Sequence, residues 1–230
     1  MKPIVINIGT PCGLNPHNLH LIRDSIFKQP LVNDEMFDIR WHVSIDTLVC
    51  SKSDIESSLF DDMYSFTETE CGCWGNQGKN ALMENVNEGW VLLVDDDNVL
   101  HYDLYTVLYP ILNGQNPSLT DIVKFIVFGH DTGEQFKVSL SRESRYSHPQ
   151  IIHDGTGTYI RPSTCDSGQV VFHHSVWKPY PTKPTKDDDL YDADYWFYQN
   201  AFKEDQEKYG CEKRFYFSDH VATFYNRLRW

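Results

Sequence analysis

Apolar and polar positions along the first hundred residues follow two regular periods. Residues 3–9 form a short apolar run, and residues 39–46 alternate apolar with polar side chains, so both stretches predict strands. Apolar spacing over residues 16–27 predicts a helix, and residues 76–88 are rich in helix formers. An apolar run over residues 91–94 predicts a further, buried strand. This β-α-β-α-β order predicts a parallel, doubly wound half-sheet.

The second half of the chain has short strand candidates separated by loops that contain glycine and proline, which indicates an antiparallel elaboration. The predicted strands are residues 122–128, 136–140, 158–161, 169–172, 214–217 and 221–225. Residues 178–186 are rich in proline and lysine and predict a mobile loop, while residues 189–209 predict a helix. Too little chain follows this loop for a second core, so we expect one domain over residues 1–230.

Composition and charge narrow the class of protein. The chain has 230 residues, 40% of them hydrophobic, and no stretch approaches the ~20 apolar residues of a transmembrane helix. The N-terminus lacks the pattern of a signal peptide, so we expect a cytoplasmic protein. A net charge of −13 argues against a nucleic-acid partner and against an anionic membrane surface. The six cysteines are scattered and predict no zinc quartet.

Three consecutive carboxylates, Asp95, Asp96 and Asp97, directly follow the apolar run that begins at Trp90. A sheet interior does not accept unpaired charges, so these residues must lie just past the end of the strand. In open α/β sheets that edge is where ligands bind. Carboxylates two positions apart can share a hard divalent cation there. Acidic runs also form solvated turns, and that alternative stays open.

Further polar residues are predicted near the same edge. Asp46 ends the second strand and can accept hydrogen bonds from a nucleobase or ribose, or serve as a turn or helix-capping residue. Lys79 and Asn80 lie early in the second helix, where a cation suits a phosphate group. A solvated surface lysine is the alternative interpretation for Lys79.

Four stretches, taken together and in this order, resemble the GT-A fold glycosyltransferases of the family 2-like type. They are Ile4–Pro11, Trp41–Asp46, the segment Gly-Asn-Gln-Gly-Lys-Asn-Ala over residues 75–81, and Val94–Asp97, which is similar to the Asp-X-Asp motif. The small single-domain enzymes of large DNA viruses and bacterial polysaccharide clusters are the most similar in type. The resemblance implies a GT-A-like doubly wound mixed sheet flanked by helices. Residues 1–100 would form a parallel nucleotide-binding half, and residues 101–230 an antiparallel acceptor half.

The resemblance also implies a donor site. It predicts a hexosyl- or deoxyhexosyl-transferase that uses a nucleotide-diphosphate sugar of the UDP or GDP type and a glycan or protein-linked acceptor, with Mn²⁺ or Mg²⁺ as cofactor. The implied metal ligands are Asp97, Asp95 and His220. The implied nucleotide-sugar-binding residues are Thr10, Pro11, Asp46, Lys79, Asn80, Asp95, Asp96 and Gln169. A further possibility is that Asp96 only orients the other two carboxylates.

The resemblance further implies a single aspartate as general base, which predicts an inverting reaction; a retaining reaction, which would need a second carboxylate, is the alternative. Tyr191–Trp196 matches the family segment that carries this residue and indicates Asp192, with Asp194 as the alternative. Acidic residues at a helix N-terminus are also favoured by the helix dipole without any catalytic role.

Other classes remain open at this point. A sugar nucleotidyltransferase shares the doubly wound sheet and the carboxylate-bound metal, but the first loop lacks the glycine-rich phosphate loop of that class. A phosphatase with an aspartyl nucleophile usually carries its motif on the first strand. A non-catalytic domain that binds glycans or nucleotide sugars is the non-enzymatic alternative.

Overall fold

The computed structural model describes residues 2–30, 35–70, 76–113, 123–131, 146–147, 151–154, 157–160, 166–179 and 214–224. Within these ranges there are three α-helices: α1 (Leu19–Phe27), α2 (Asn76–Met83) and α3 (Leu104–Leu112). The strands are β1 (Ile4–Cys12), β2 (Phe37–Asp46), β3 (Ser65–Thr69), β4 (Trp90–Leu93), β5 (Val99–Leu100), β6 (Phe125–Asp131), β7 (Tyr146–Ser147), β8 (Ile151–Asp154), β9 (Gly157–Ile160), β10 (Val170–His173) and β11 (Phe215–Phe224).

One mixed sheet organises the described chain. Its strand order is β3-β2-β1-β4-β10-β6-β11-β5, with β7 paired to β6, and β8 and β9 form a separate hairpin. Strands β3, β2, β1 and β4 are parallel to one another. Strand β10 runs antiparallel to both β4 and β6. The doubly wound mixed sheet predicted from the sequence is therefore confirmed.

The two faces of the sheet carry separate hydrophobic cores, because side chains alternate along each strand. On one face, Leu19, Ile22 and Ile26 of α1 recur at helical spacing, are fully buried and pack with the strands and α3. A smaller cluster on the opposite face includes Met83 of α2 and Leu93 of β4. Both faces of the central strands are covered, which explains their nearly continuous apolar sequences.

Several individual helices and strands differ from those predicted. The sequence did not predict helix α3 or strands β3, β5, β7 and β8. The two strands predicted over residues 214–225 are one strand, β11, with two shifts of register. The predicted strand 136–140, the helix 189–209 and most of the loop 178–186 lie outside the described residues. None of the described helices is long and apolar enough to cross a membrane.

Candidate functional site

The ends of β1, β2 and β4 meet at one edge of the sheet because these strands are parallel. The start of β10 reaches the same edge because this strand runs the opposite way beside β4. We call it the carboxyl edge. It brings together the β1–α1 loop (residues 13–18), the carboxylate turn (residues 95–98) and the turn over residues 166–169. Crevices at such an edge are where open α/β sheets bind ligands.

A buried lysine from α2 lies at the centre of this edge. The Lys79 ammonium is 3.5 Å from a carboxylate oxygen of Asp95 and donates a hydrogen bond of 3.2 Å to the Ser167 hydroxyl. Only 4% of Lys79 is exposed to solvent, so the alternative interpretation as a solvated surface lysine is wrong. A buried ammonium requires negative partners, which Asp95 supplies in part.

The close packing of α2 against the sheet determines where Lys79 lies. Gly78, the residue before it, faces Ser44 of β2 and Pro11 of β1, and a Cβ atom there would be 2.7 Å from the Ser44 hydroxyl oxygen. The absence of a side chain at Gly78 therefore lets the helix approach the ends of β1 and β2. Pro11 is buried at this contact.

The turn that carries Ser167 is closed by its own side chains. Asp166 accepts a hydrogen bond from the amide of Gly168 (2.8 Å), and the side chain of Gln169 accepts one from the amide of Asp166 (2.8 Å). This reciprocal pair is a capping box. Gln169, a predicted nucleotide-sugar-binding residue, is fully buried, and its amide nitrogen donates to the backbone carbonyl of Phe128 at 3.4 Å. Its observed contacts hold the turn in place.

The carboxylate of Asp96 faces the β1–α1 loop on the other side of the carboxylate turn. One of its oxygens accepts hydrogen bonds from the amides of Gly13 (2.9 Å) and Asn15 (3.0 Å), and the other accepts from the Asn15 side chain (3.1 Å). Asp95 contacts α2, whereas Asp96 contacts the loop before α1, and these helices pack on opposite faces of the sheet, so the two carboxylates point in different directions.

Two further predicted residues have structural contacts at this edge. Asp46 accepts a hydrogen bond from the amide of Leu48 (3.0 Å), so it serves as the turn residue that the alternative interpretation predicted. Thr10 is fully buried, and its hydroxyl accepts a hydrogen bond from the Trp41 indole (3.1 Å). Asn80, also a predicted binding residue, is partly exposed on α2.

The predicted metal ligands are only partly brought together. Asp97 is buried, with 6% of its surface exposed, and Asp95 lies two residues before it. His220 is exposed on β11, within the first of the two shifts of register. Among the described residues, no group of three His, Cys, Asp or Glu side chains lies close enough together to hold a metal ion. A ligand role for His220 stays a prediction.

Thiol chemistry is disfavoured at this edge. Burial raises the pKa of Cys12 at the end of β1, and the nearby charge of Asp96 raises it further. Burial also raises the pKa of Cys50, the neighbouring thiol. Both cysteines therefore stay protonated at neutral pH, whereas a nucleophilic cysteine reacts as its thiolate.

The candidate bases Asp192 and Asp194 lie outside the described residues. The sequence assigned no individual role to Ser167, or to the loop residues Gly13, Asn15 and Asn18 that contact Asp96. The Asp-X-X-Gln spacing at Asp166 is a capping signal that would have indicated a turn next to Ser167.

No protein-family model and no curated protein matches this chain. Solved structures resemble it over nearly its whole length, and three of them illustrate the similarity. A fragment of S. aureus TarS in complex with UDP has a TM-score of 0.62 and 13% identity, and the match covers 97% of this chain and 60% of the fragment. The mannosyltransferase PcManGT from Pyrobaculum calidifontis, in complex with GDP-Man and Mn²⁺, has a TM-score of 0.57 and 14% identity, covering 96% and 56% respectively.

Glucosyl-3-phosphoglycerate synthase from Mycobacterium tuberculosis, in complex with Mg²⁺ and UDP, has a TM-score of 0.52 and 12% identity, covering 95% of this chain and 70% of that one. This chain spans only 36% of a longer TarS structure. These neighbours are GT-A-type glycosyltransferases. The similarity in structure, together with the mixed sheet and its strand order, shows that this chain has the GT-A fold.

Proposed function

We propose that this protein is a glycosyltransferase that uses a nucleotide-diphosphate sugar as its donor. The observation that carries the proposal is the arrangement of Lys79, Asp95 and Asp97 at the carboxyl edge. A buried ammonium lies 3.5 Å from Asp95, and the largely buried carboxylate of Asp97 is two residues further along the chain. A nucleoside diphosphate leaving group gains negative charge as the sugar departs, and a fixed cation stabilises that charge.

The fold and its neighbours support the same donor class. PcManGT was crystallised with GDP-Man, and both TarS and glucosyl-3-phosphoglycerate synthase were crystallised with UDP. We infer a donor of the UDP or GDP type, with residues 1–100 as the nucleotide-binding half and residues 101–230 as the acceptor half. The transferred group would be a hexosyl or deoxyhexosyl unit, and the acceptor a glycan or a protein-linked hydroxyl.

A divalent cation fits the residues present in chemical type. Asp95 and Asp97 offer hard oxygen ligands of the kind that Mn²⁺ and Mg²⁺ prefer, and two of the neighbours were crystallised with these ions. When bound, the ion supplies Lewis-acid stabilisation of the diphosphate. Asp97 would hold it directly, and Asp95 would contact the ribose or complete the ligand set. Lys79 would balance the charge of Asp95 and approach the phosphates from α2.

Transfer also requires removal of a proton from the acceptor hydroxyl. Asp192 is the proposed general base and Asp194 the alternative, and one base of this kind supports an inverting reaction. Both carboxylates follow the basic segment 178–186 in the sequence, so acceptor activation and donor binding would involve different halves of the chain.

The test is release of the nucleotide from a panel of donors: UDP-glucose, UDP-N-acetylglucosamine and GDP-mannose, with Mn²⁺ and a mixture of free sugars as acceptors. The proposal predicts release of UDP or GDP from at least one donor, and that EDTA and Asp97→Asn each abolish it. Asp192→Asn should reduce transfer while leaving donor binding unchanged. A parallel reaction with added pyrophosphate tests the alternative: conversion of the nucleotide sugar and pyrophosphate to a nucleoside triphosphate and a sugar 1-phosphate would instead indicate a nucleotidyltransferase. Release that persists in EDTA would contradict the metal assignment.

A further inference from the structure

The middle carboxylate of the Asp95–Asp97 run has three hydrogen-bond donors within the protein. Two are backbone amides, of Gly13 and Asn15, at 2.9 and 3.0 Å, and the third is the Asn15 side-chain amide at 3.1 Å. A carboxylate has about four lone-pair positions, so most of the acceptor capacity of Asp96 is used by the β1–α1 loop. These bonds are charge-assisted, which makes them stronger than bonds between neutral groups.

The backbone of the carboxylate turn is tied to the same loop. The Asn18 side chain donates a hydrogen bond of 2.9 Å to the Asp96 carbonyl oxygen. Within the turn, the amide of Asn98 donates to the carbonyl oxygen of Asp95 at 3.0 Å. Side-chain and main-chain atoms of Asp96 are therefore both anchored to one short stretch of chain, while Asp95 and Asp97 lie on either side of it in the sequence.

We propose that Asp96 is a positioning residue. It fixes the β1–α1 loop to the carboxylate turn and thereby orients Asp95 and Asp97 for the donor nucleotide without contacting donor or metal itself. This inference rests on the proposed function, because the donor nucleotide is the ligand for which the turn is oriented. For Asp96 it favours the orienting role, which the sequence left open, over the direct contact of a nucleotide-sugar-binding residue.

Geometry favours positioning over direct binding. Asp95 points toward Lys79 on α2, whereas Asp96 points toward the opposite side of the sheet and contacts the loop before α1. To bind a ligand beside Lys79, the Asp96 carboxylate would have to give up its three donors and reverse direction. Two of those donors are backbone amides, which would then need new acceptors.

The experiment compares Asp96→Ala, Asp96→Asn and Asn18→Ala with the wild-type protein in two measurements. Calorimetry gives the dissociation constants of UDP and GDP in the presence of Mn²⁺. Amide hydrogen exchange gives the protection of Gly13 and Asn15, measured against the amides of β1 as an internal reference. The matched control is Asp24→Ala, which removes a carboxylate whose ion-pair partners, Arg23 and Lys28, lie outside the loop.

The expected result is a dissociation constant raised about tenfold in Asp96→Ala, together with lost protection of both loop amides. Asp96→Asn keeps one acceptor oxygen and should lie between Asp96→Ala and wild type in both measurements. Asn18→Ala should also weaken binding, although it leaves the Asp96 carboxylate intact and so remains informative if Asp96→Ala fails to fold. Asp24→Ala should match wild type in affinity.

Three outcomes would overturn the positioning role. Loop amides that exchange freely in Asp96→Ala while affinity stays unchanged would show that the anchor does not orient the site. Abolished binding with full protection of Gly13 and Asn15 would make Asp96 a direct ligand. Wild-type protein that binds neither nucleotide would overturn the proposed function itself, and the exchange measurement would then still report whether Asp96 anchors the loop.

Discussion

The contact between Gly78 and Ser44 offers a test of how α2 is held against the sheet. Gly78→Ala would place a Cβ atom 2.7 Å from the Ser44 hydroxyl oxygen and 3.4 Å from Cβ of Pro11. The Ser44 hydroxyl is itself buried and has no hydrogen-bond partner among the described residues. The same contact determines where Lys79, the next residue, lies.

The magnitude follows from two opposing effects. Alanine is favoured over glycine inside a helix by about 1 kcal/mol, whereas overpacking a buried contact costs about 1–3 kcal/mol. We therefore expect Gly78→Ala to lower the free energy of unfolding by about 1 kcal/mol. Ser44→Ala should be neutral or slightly stabilising, because it removes a buried hydroxyl without a partner. In the double variant the new methyl group faces Cβ of residue 44 at 3.7 Å and Cβ of Pro11 at 3.4 Å, and both are ordinary contact distances. It should be at least as stable as wild type.

The assay is urea unfolding of the two single variants and the double variant, evaluated as a double-mutant cycle. A coupling of about 2 kcal/mol is the expected result, with nucleotide affinity lost in Gly78→Ala and regained in the double variant. Gly13→Ala is the control for the unfolding measurement alone, since a Cβ atom there meets Val49 at the ordinary distance of 3.8 Å. Additive effects of the two substitutions, or Gly78→Ala as stable as wild type, would refute the packing argument.

Two further predictions concern charge at buried sites. Lys79→Met should weaken calorimetric binding of UDP or GDP at least tenfold, because it leaves Asp95 beside the diphosphate without its buried cation. The control is Lys28→Met, which alters an exposed lysine and should match wild type in the same measurement. Burial, with the charge of Arg40, lowers the pKa of His42 from 6.5 to about 4. As the pH falls, His42 is therefore protonated in the unfolded chain before it is protonated in the folded protein. The stability that neutral His42 contributes is complete above pH 6.5 and is lost toward pH 4, by up to about 3 kcal/mol. Denaturation at a series of pH values should show a free energy of unfolding that falls between pH 6.5 and pH 4 in wild type and falls less steeply in His42→Gln. Equal slopes in the two proteins would contradict the lowered pKa of His42.

The first half of the fold was predictable because hydrophobic periodicity reports burial directly. Strands β1 and β4 are covered on both faces and show short apolar runs, whereas β2 alternates apolar with polar residues, and both patterns predict strands. Helix α3 was missed because its sequence, with Leu104 and Pro110, is almost entirely apolar and contains a residue that usually ends helices. Strand β3 was missed because only one of its five residues is apolar.

The candidate site was predictable only in part. Three carboxylates after an apolar strand indicated the carboxyl edge, since no sheet interior accepts them. The direction in which each carboxylate points could not be predicted, because the hydrogen-bond donors to Asp96 are Gly13 and Asn15, more than eighty residues earlier in the chain. Burial of Thr10 and Gln169 likewise follows from tertiary contacts that the local sequence does not encode.

The most direct test of a metal-dependent donor site at the carboxyl edge is calorimetric binding of UDP, GDP and, as a control, CMP. Each is measured with Mn²⁺ and with EDTA, on wild type, on Asp97→Ala and on Asp61→Ala, which alters an exposed carboxylate away from the site. If the carboxyl edge is the donor site, one diphosphate binds wild type and Asp61→Ala equally well, and EDTA or Asp97→Ala removes this binding. If no nucleotide binds in a metal-dependent way, the carboxyl edge is not a donor site and the glycosyltransferase proposal is wrong.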